Sequence, residues 1–257
     1  VSRMGIEKNL ADFLPSDVEA VVASEWNYAA RYNRQSEPRA ILLAGQPGAG
    51  KTVLSSMLNK LLCGNVYFIN ADEYRRFHPN YKELYARYGS VSVQMTSGFS
   101  GAVTERLIHE TSERGIHLII EGTGRTTDVP HRTAELLVKK GYRVELAVIA
   151  TRPEHSLCST LLRFYEMNER GTIPRATAME AHDYVVRVLP DNLDILRDDP
   201  VISGITIWDR TPTKIYDSCG TAECPSEVLR QYWNRPWSDE ELQDRKSTRL
   251  NSSHLGI

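Results

Sequence analysis

The run Gly45-Gln46-Pro47-Gly48-Ala49-Gly50-Lys51-Thr52 fits G-x-x-x-x-G-K-[ST]. It lies between an apolar stretch at 40–44 and a segment of helical spacing at 51–62. A buried strand that ends on such a loop and passes straight into a helix leaves few folds open. Gly48 and Gly50 let the backbone curl so that successive N–H groups point inward, and the dipole of the following helix adds positive potential where a triphosphate would lie. Lys51 is placed to reach β- and γ-phosphates and the Thr52 hydroxyl to ligate Mg²⁺, with Gly45, Gln46, Pro47 and Ala49 completing the cradle. The sequence therefore predicts a nucleoside triphosphate site.

The rest of the pattern supports a sheet around that loop. Strands are expected at 40–44, 66–69, 118–120, 143–150 and 205–209. Helices are expected at 51–62, 91–112, 131–140 and 177–196, and another opens at Pro153-Glu154. Strands alternating with helices imply parallel pairing with both faces covered. The expected fold is α/β: a P-loop NTPase/kinase-like three-layer fold, with a mostly parallel central sheet, helices on both faces and a helical lid. Residues 1–38 read as an N-terminal helical extension ending in the connector Gln35-Ser36-Glu37-Pro38, 39–217 as the P-loop domain and 218–243 as a C-terminal extension. Residues 244–257 lack apolar periodicity, and one back-translation of 244–254 resembles a sequencing-adapter oligonucleotide. They are read as adapter-derived or as a disordered tail and given no function.

Charge narrows the partners. Thirty-one basic and 33 acidic residues leave a net charge of −2, which gives no global reason to bind nucleic acid or an anionic membrane, so any anion must be gripped locally. The apolar runs are far too short to span a bilayer, and residues 1–10 carry no secretory pattern. The 4 cysteines include no C-x-x-C pair and suit a reducing, cytoplasmic setting.

Open α/β sheets place their ligands at the carboxyl ends of the strands, so those ends are where chemistry is sought. Asp72 follows the second strand and can take the proton of an attacking alcohol, or else serve as a turn or helix-cap residue. Glu121 closes the third strand, where a carboxylate can hold Mg²⁺ through water or orient the neighbouring loop. The loop Gly122-Thr123-Gly124-Arg125 puts a hydroxyl and a guanidinium beside the same cleft, its glycines allowing close approach to a ligand. Arg163 lies on a helix, and Arg170 and Arg175 flank the break Gly171-Thr172-Ile173-Pro174, as mobile cations of a lid would. The segment from Tyr74 to Tyr81, with Arg75, Arg76, Phe77 and His78, reads as a stacking surface for a nucleic-acid strand, a pocket for a phosphorylated substrate, or a packed loop with snorkelling arginines. His182-Asp183 reads as a hydrogen-bonded pair on a helix rather than a catalytic dyad.

Taken in order, Gly45-x4-Gly50-Lys51-Thr52, Asp72-x2-Arg75-x2-His78-Pro79-x-Tyr81, Glu121-Gly122-Thr123-x-Arg125, then Arg163, Arg175 and His182-Asp183 resemble the zeta toxin family of toxin–antitoxin kinases. The likeness runs from about residue 38 to 217. It implies phosphoryl transfer from ATP, with Mg²⁺, to the 3′-hydroxyl of the N-acetylglucosamine moiety of UDP-N-acetylglucosamine, which would block cell-wall synthesis. By the same resemblance Asp72 is the base, Lys51 and Thr52 hold ATP and Mg²⁺, and Arg163 and Arg175 clamp the phosphates. Glu105, Thr123 and Arg125 contact the sugar nucleotide, with Arg75 beside them. A small separate helical antitoxin that obstructs the ATP site is also implied. Asn70 departs from the pattern, since many members carry an acidic residue there. Two other readings use the same loop: a polynucleotide 5′-hydroxyl kinase, and a nucleotide-dependent switch. The near-neutral charge disfavours the first, and the absence of an N-K-x-D signature and of a switch glutamine disfavours the second.

Overall fold

The computed structural model describes residues 9–174, 177–239 and 242–243, so residues 1–8 and the tail at 244–257 lie outside the described residues. In chain order the elements are α1 (Pro15–Ala29), β1 (Arg39–Ala44), α2 (Lys51–Leu61), β2 (Val66–Asn70), α3 (Ala71–Tyr74), α4 (Tyr81–Tyr88), α5 (Ser92–Met95) and α6 (Ser97–Glu113). They continue with β3 (His117–Glu121), α7 (Asp128–Lys139), β4 (Arg143–Ile149), α8 (Pro153–Glu169), α9 (Met179–Arg197), β5 (Ile205–Trp208), β6 (Lys214–Asp217) and α10 (Pro225–Asn234). The chain divides into two compact units, Val1–Arg31 with Ile69–Arg114, and Tyr32–Phe68 with Gly115–Ile257.

The second unit is built on a six-stranded sheet in the order β2-β3-β1-β4-β5-β6. β1 runs parallel to β3 and β4, β4 runs parallel to β5, and β6 closes its edge antiparallel to β5. Nearly every residue of β1 is buried, as a central parallel strand requires. Side chains alternate across the sheet, so Ile41 and Leu43 share one face, where they cluster with Leu54 and Leu58 of α2 and with Ile119, Ala147 and Ile149. Each such aliphatic side chain contributes about 1.5–3 kcal/mol by leaving water. On the opposite face Leu189 of α9 comes up against Ala44, the two meeting at Gly124. The chain therefore adopts the expected α/β fold, with a mostly parallel sheet and helices on both faces.

In the first unit α6 is the spine. Phe99, Val103 and Leu107 recur every four residues and are fully buried, and α1 packs against this helix, burying Val18, Val21 and Val22. Phe13 meets Phe99 edge to face at 5.3 Å. Tyr74 and His78 are buried; His78 Nδ1 accepts the Asn80 N–H at 3.1 Å and Nε2 lies 3.2 Å from the Ala11 carbonyl. Of the three readings of 74–81, the packed loop describes these two residues, while Phe77 stays exposed beneath the Arg76 guanidinium, 4.8 Å away.

Several expected elements change shape. The helix expected at 91–112 breaks at Thr96, just after the Val93 carbonyl, to which Arg75 Nη1 donates at 2.6 Å from outside the helix. The helix expected at 131–140 begins at Asp128, since Pro130 sits in a first turn, whose N–H groups need no helical partner. α4, β6 and α10 were not expected: β6 is too short to show alternation, and α10 was absorbed into the C-terminal extension. The 4 cysteines are all free thiols. Among the described residues no helix is long and apolar enough to cross a membrane.

Candidate active site

The predicted nucleotide-binding residues lie in the sheet unit. β1 ends at Ala44 and the loop turns through Gly45 (φ 149°), Gly48 (φ 76°) and Gly50 (φ 97°), all in backbone regions that side chains disfavour. Space reinforces the requirement: a Cβ on Gly48 would lie 2.0 Å from the backbone oxygen of Ser156 on α8. Gly50 caps α2, and Lys51, the first residue of that helix, folds back over the loop. Its Nζ donates to the carbonyls of Gly45 at 2.9 Å and Gln46 at 3.4 Å and lies 3.8 Å from Glu121 Oε1.

Register explains the last contact. Glu121 ends β3 directly opposite Leu43, so its carboxylate reaches the loop from the neighbouring strand. The side chains of Lys51 and Glu121 are only 10% and 17% exposed, and a pair so shielded attracts more strongly than one on the surface. An ammonium resting on loop carbonyls beside a carboxylate stands where it can be exchanged onto an anion arriving in the loop. The Thr123 carbonyl accepts the Gly45 N–H at 3.3 Å, and its hydroxyl accepts the Arg125 N–H at 3.4 Å. Thr123 is thus tied to the loop, while Arg125 is exposed.

Gly124 has a different role from the one expected. Its φ is 74°, and a Cβ there would lie 2.5 Å from Leu189 Cδ1 and 3.1 Å from the Ala44 Cβ, so this glycine admits protein rather than ligand. Arg163 is exposed on α8 and shares a helical face with Ser156, two turns or roughly 10 Å further along. Arg175 lies outside the described residues. Arg210 was missed: its Nε lies 3.9 Å from where a Cβ on Gly50 would stand. Its place just past the carboxyl end of β5 is a signal that could have found it.

Asp72, Arg75 and Glu105 belong to the helical unit. Asp72 is on α3, two residues beyond β2, and Asn70 Oδ1 caps that helix by accepting the Asp72 N–H at 3.0 Å. Arg75 Nε donates to Asp72 Oδ1 at 2.9 Å while its Nη1 is anchored on the Val93 carbonyl, so the guanidinium orients a half-exposed carboxylate. Arg75 is here a partner of Asp72 and a brace for its own unit. Glu105 is exposed on α6.

The donors suit a hard cation that brings most of its own ligands. Among the described residues no group of three or more His, Cys, Asp or Glu side chains could hold a metal ion. The Thr52 hydroxyl at the start of α2 and the Glu121 carboxylate could instead supply the one or two protein oxygens that Mg²⁺ takes when phosphates and water complete its shell.

Comparison with known proteins points one way. The zeta toxin family model matches residues 23–221. Toxin PezT of Streptococcus pneumoniae is 38% identical over 246 residues, covering 94% of this chain and 97% of that protein. Toxin zeta of Streptococcus pyogenes is 40% identical over 208 residues, covering 80% of this chain and 72% of that protein. A solved structure from the characterization of the PezAT chromosomal toxin–antitoxin system of S. pneumoniae superposes with a TM-score of 0.87 at 35% identity, covering 96% of this chain and 98% of its own.

Proposed function

The chain belongs to the zeta toxin family, and from that membership we propose that it transfers the γ-phosphoryl group of ATP to the 3′-hydroxyl of the N-acetylglucosamine moiety of UDP-N-acetylglucosamine. The observation that carries the reading is the loop itself: three glycines at positive φ, with Lys51 resting on its carbonyls and beside Glu121. In this reading Lys51 leaves those carbonyls for the β- and γ-phosphates. Asp72, oriented by Arg75, accepts the proton of the sugar hydroxyl as the oxygen attacks. Arg163 and Arg175 clamp the transferring group, and Glu105, Thr123 and Arg125 hold the sugar nucleotide. Mg²⁺, on Thr52 and through water on Glu121, neutralises phosphate charge when bound. Residues 39–217 form the kinase domain, acting in the cytoplasm, where both substrates occur.

A relative characterised within a toxin–antitoxin system supports a partner of the same kind here, a small helical antitoxin obstructing the ATP site. The test is incubation of the purified protein with MgATP and UDP-N-acetylglucosamine, read by mass spectrometry, with Lys51→Ala as the blank. A phosphorylated sugar nucleotide that requires Lys51 is expected. Asp72→Asn should abolish transfer and leave ATP binding nearly intact; full transfer by that variant removes Asp72 from the role of base.

A further inference from the structure

Behind the loop runs a buried polar chain that phosphoryl transfer does not use. Gln46 is completely buried, and its Nε2 donates to the Thr151 carbonyl at 2.6 Å and to Ser156 Oγ at 3.2 Å. Ser156 Oγ lies 2.8 Å from Nε2 of His182, which is 1% exposed on α9. His182 Nδ1 lies 3.0 Å from Asp183 Oδ1. A carboxylate accepts, so Nδ1 carries the ring proton, and in the neutral ring Nε2 accepts from Ser156.

These bonds act on the shape of the loop. The Gln46 amide has two hydrogens and both are used, so its plane is fixed by whichever atoms receive them. One receiver, the Thr151 carbonyl, is backbone; that same residue's hydroxyl donates to the Ala49 carbonyl at 2.6 Å. The other receiver is a serine hydroxyl, which could rotate. Ser156 Oγ also lies 2.9 Å from the Pro153 carbonyl, so its single proton has two possible acceptors. The second acceptor, His182 Nε2, lies 2.8 Å from the oxygen that receives the Gln46 amide. Ser156 is also the residue whose backbone oxygen fills the space beside Gly48. One residue of α8 therefore touches the loop twice, and a buried histidine from α9 lies against its hydroxyl.

We propose that His182 is a positioning residue for the nucleotide site: through Ser156 it fixes the Gln46 amide and so holds the loop in the shape that receives phosphate. This rests on the reading of residues 45–52 as the nucleotide loop. It also gives His182-Asp183, two adjacent residues without catalytic contact, a function.

The experiment measures the Kd for MgATP by titration calorimetry, together with Tm, for the wild type, His182→Leu, His182→Gln, Ser156→Ala and the double variant His182→Leu/Ser156→Ala. His182→Leu and Ser156→Ala are each expected to raise Kd about tenfold, the worth of one buried hydrogen bond. The double variant should be no weaker than the worse single one, because both break the same chain. His182→Gln, whose amide can replace Nε2, should stay within about threefold of the wild type. A lowered Tm with wild-type Kd in the leucine and alanine variants overturns the proposal, because a histidine that only packs would move Tm alone. Additive losses in the double variant overturn it too. Should His182→Leu not fold, His182→Asn takes its place: its amide can stand for Nδ1 towards Asp183 but is too short to replace Nε2, so a wild-type Kd in that variant overturns the proposal. A wild type that binds no MgATP overturns the loop reading and this proposal with it; wild-type binding with unaffected variants overturns this proposal alone.

Discussion

Adding one methyl group at Gly48 separates two costs that glycine avoids. At φ 76° any side chain carries the left-handed penalty of about 1–2 kcal/mol. A Cβ there would also stand 2.0 Å from the oxygen and 3.0 Å from the carbon of the Ser156 carbonyl. Those atoms are backbone within α8 and have no rotamer to escape into, so the clash adds the roughly 1–3 kcal/mol of an overpacked site. Gly141 is the matched control: φ is 82° and nothing lies within 4 Å of its Cβ position. Gly141→Ala should therefore show the conformational cost alone, about 2–8 °C in Tm, and bind MgATP as the wild type does. Gly48→Ala should lose roughly twice as much stability and bind MgATP at least about tenfold more weakly, because the loop must leave its shape to clear α8. Differential scanning fluorimetry and titration calorimetry on the two variants give both numbers. Equal Tm losses, with wild-type nucleotide affinity in Gly48→Ala, would refute the claim that α8 shapes this loop.

Two further outcomes follow from residues away from the loop. His117 Nδ1 accepts the Arg39 N–H at 2.9 Å, and burial first, then the nearby Arg39 charge, hold its pKa below the usual 6.5. The neutral ring is thus the native form: its contribution to stability is complete above pH 6.5 and is lost as pH falls through the depressed value. Relative to His117→Asn, the wild type should lose Tm on going from about pH 7 towards 5, and parallel pH profiles would refute this. Arg152, 5% exposed, donates to the carbonyls of Trp233 at 2.8 Å and Pro236 at 2.9 Å, also reaches Arg235, and stacks on Trp237 at 4.4 Å. Arg152→Met should cost about 3 kcal/mol or more and expose the chain after α10 to limited proteolysis; an unchanged digestion rate would show that other contacts hold that segment.

What the sequence revealed depended on how local the signal was. The phosphate loop and the strands around it could be read because each signal is carried by adjacent residues: a glycine spacing, or a short apolar run bounded by polar ones. The break at Thr96 could not be read, because no local pattern marks it and the guanidinium that meets the chain there belongs to Arg75, about twenty residues earlier. α10 left a trace in Leu229 and Trp233, one turn apart, but a single pair does not establish a period. Glu121 shows both cases. Its place at the end of β3 was legible, whereas its contact with Lys51 needed the β1–β3 register, which no local pattern supplies. Arg210 was overlooked because one arginine after a strand looks the same whether or not a glycine loop lies beside it.

The glycines of the site take this point to a test. Gly48 and Gly124 both have positive φ and both look like positions that leave room for a ligand, yet each is filled by a helix more than sixty residues away in sequence, α8 and α9 respectively. The fillings differ in kind. At Gly124 the nearest atom is Leu189 Cδ1 at 2.5 Å, the far end of a flexible side chain, with the Ala44 Cβ next at 3.1 Å. At Gly48 the nearest atom is a helix carbonyl. Trimming the neighbour should therefore rescue one substitution and not the other. Gly124→Ala should recover stability when combined with Leu189→Ala, so the pair costs less than the sum of its members, even though Leu189→Ala alone costs about 2–5 kcal/mol for its cavity. Gly48→Ala combined with Thr160→Ala, which removes the methyl 2.8 Å away, should stay as damaged as Gly48→Ala alone, because the carbonyl remains. Additivity in the first pair, or rescue in the second, measured by thermal unfolding of the single and double variants, would contradict the packing that gives these two glycines their different roles.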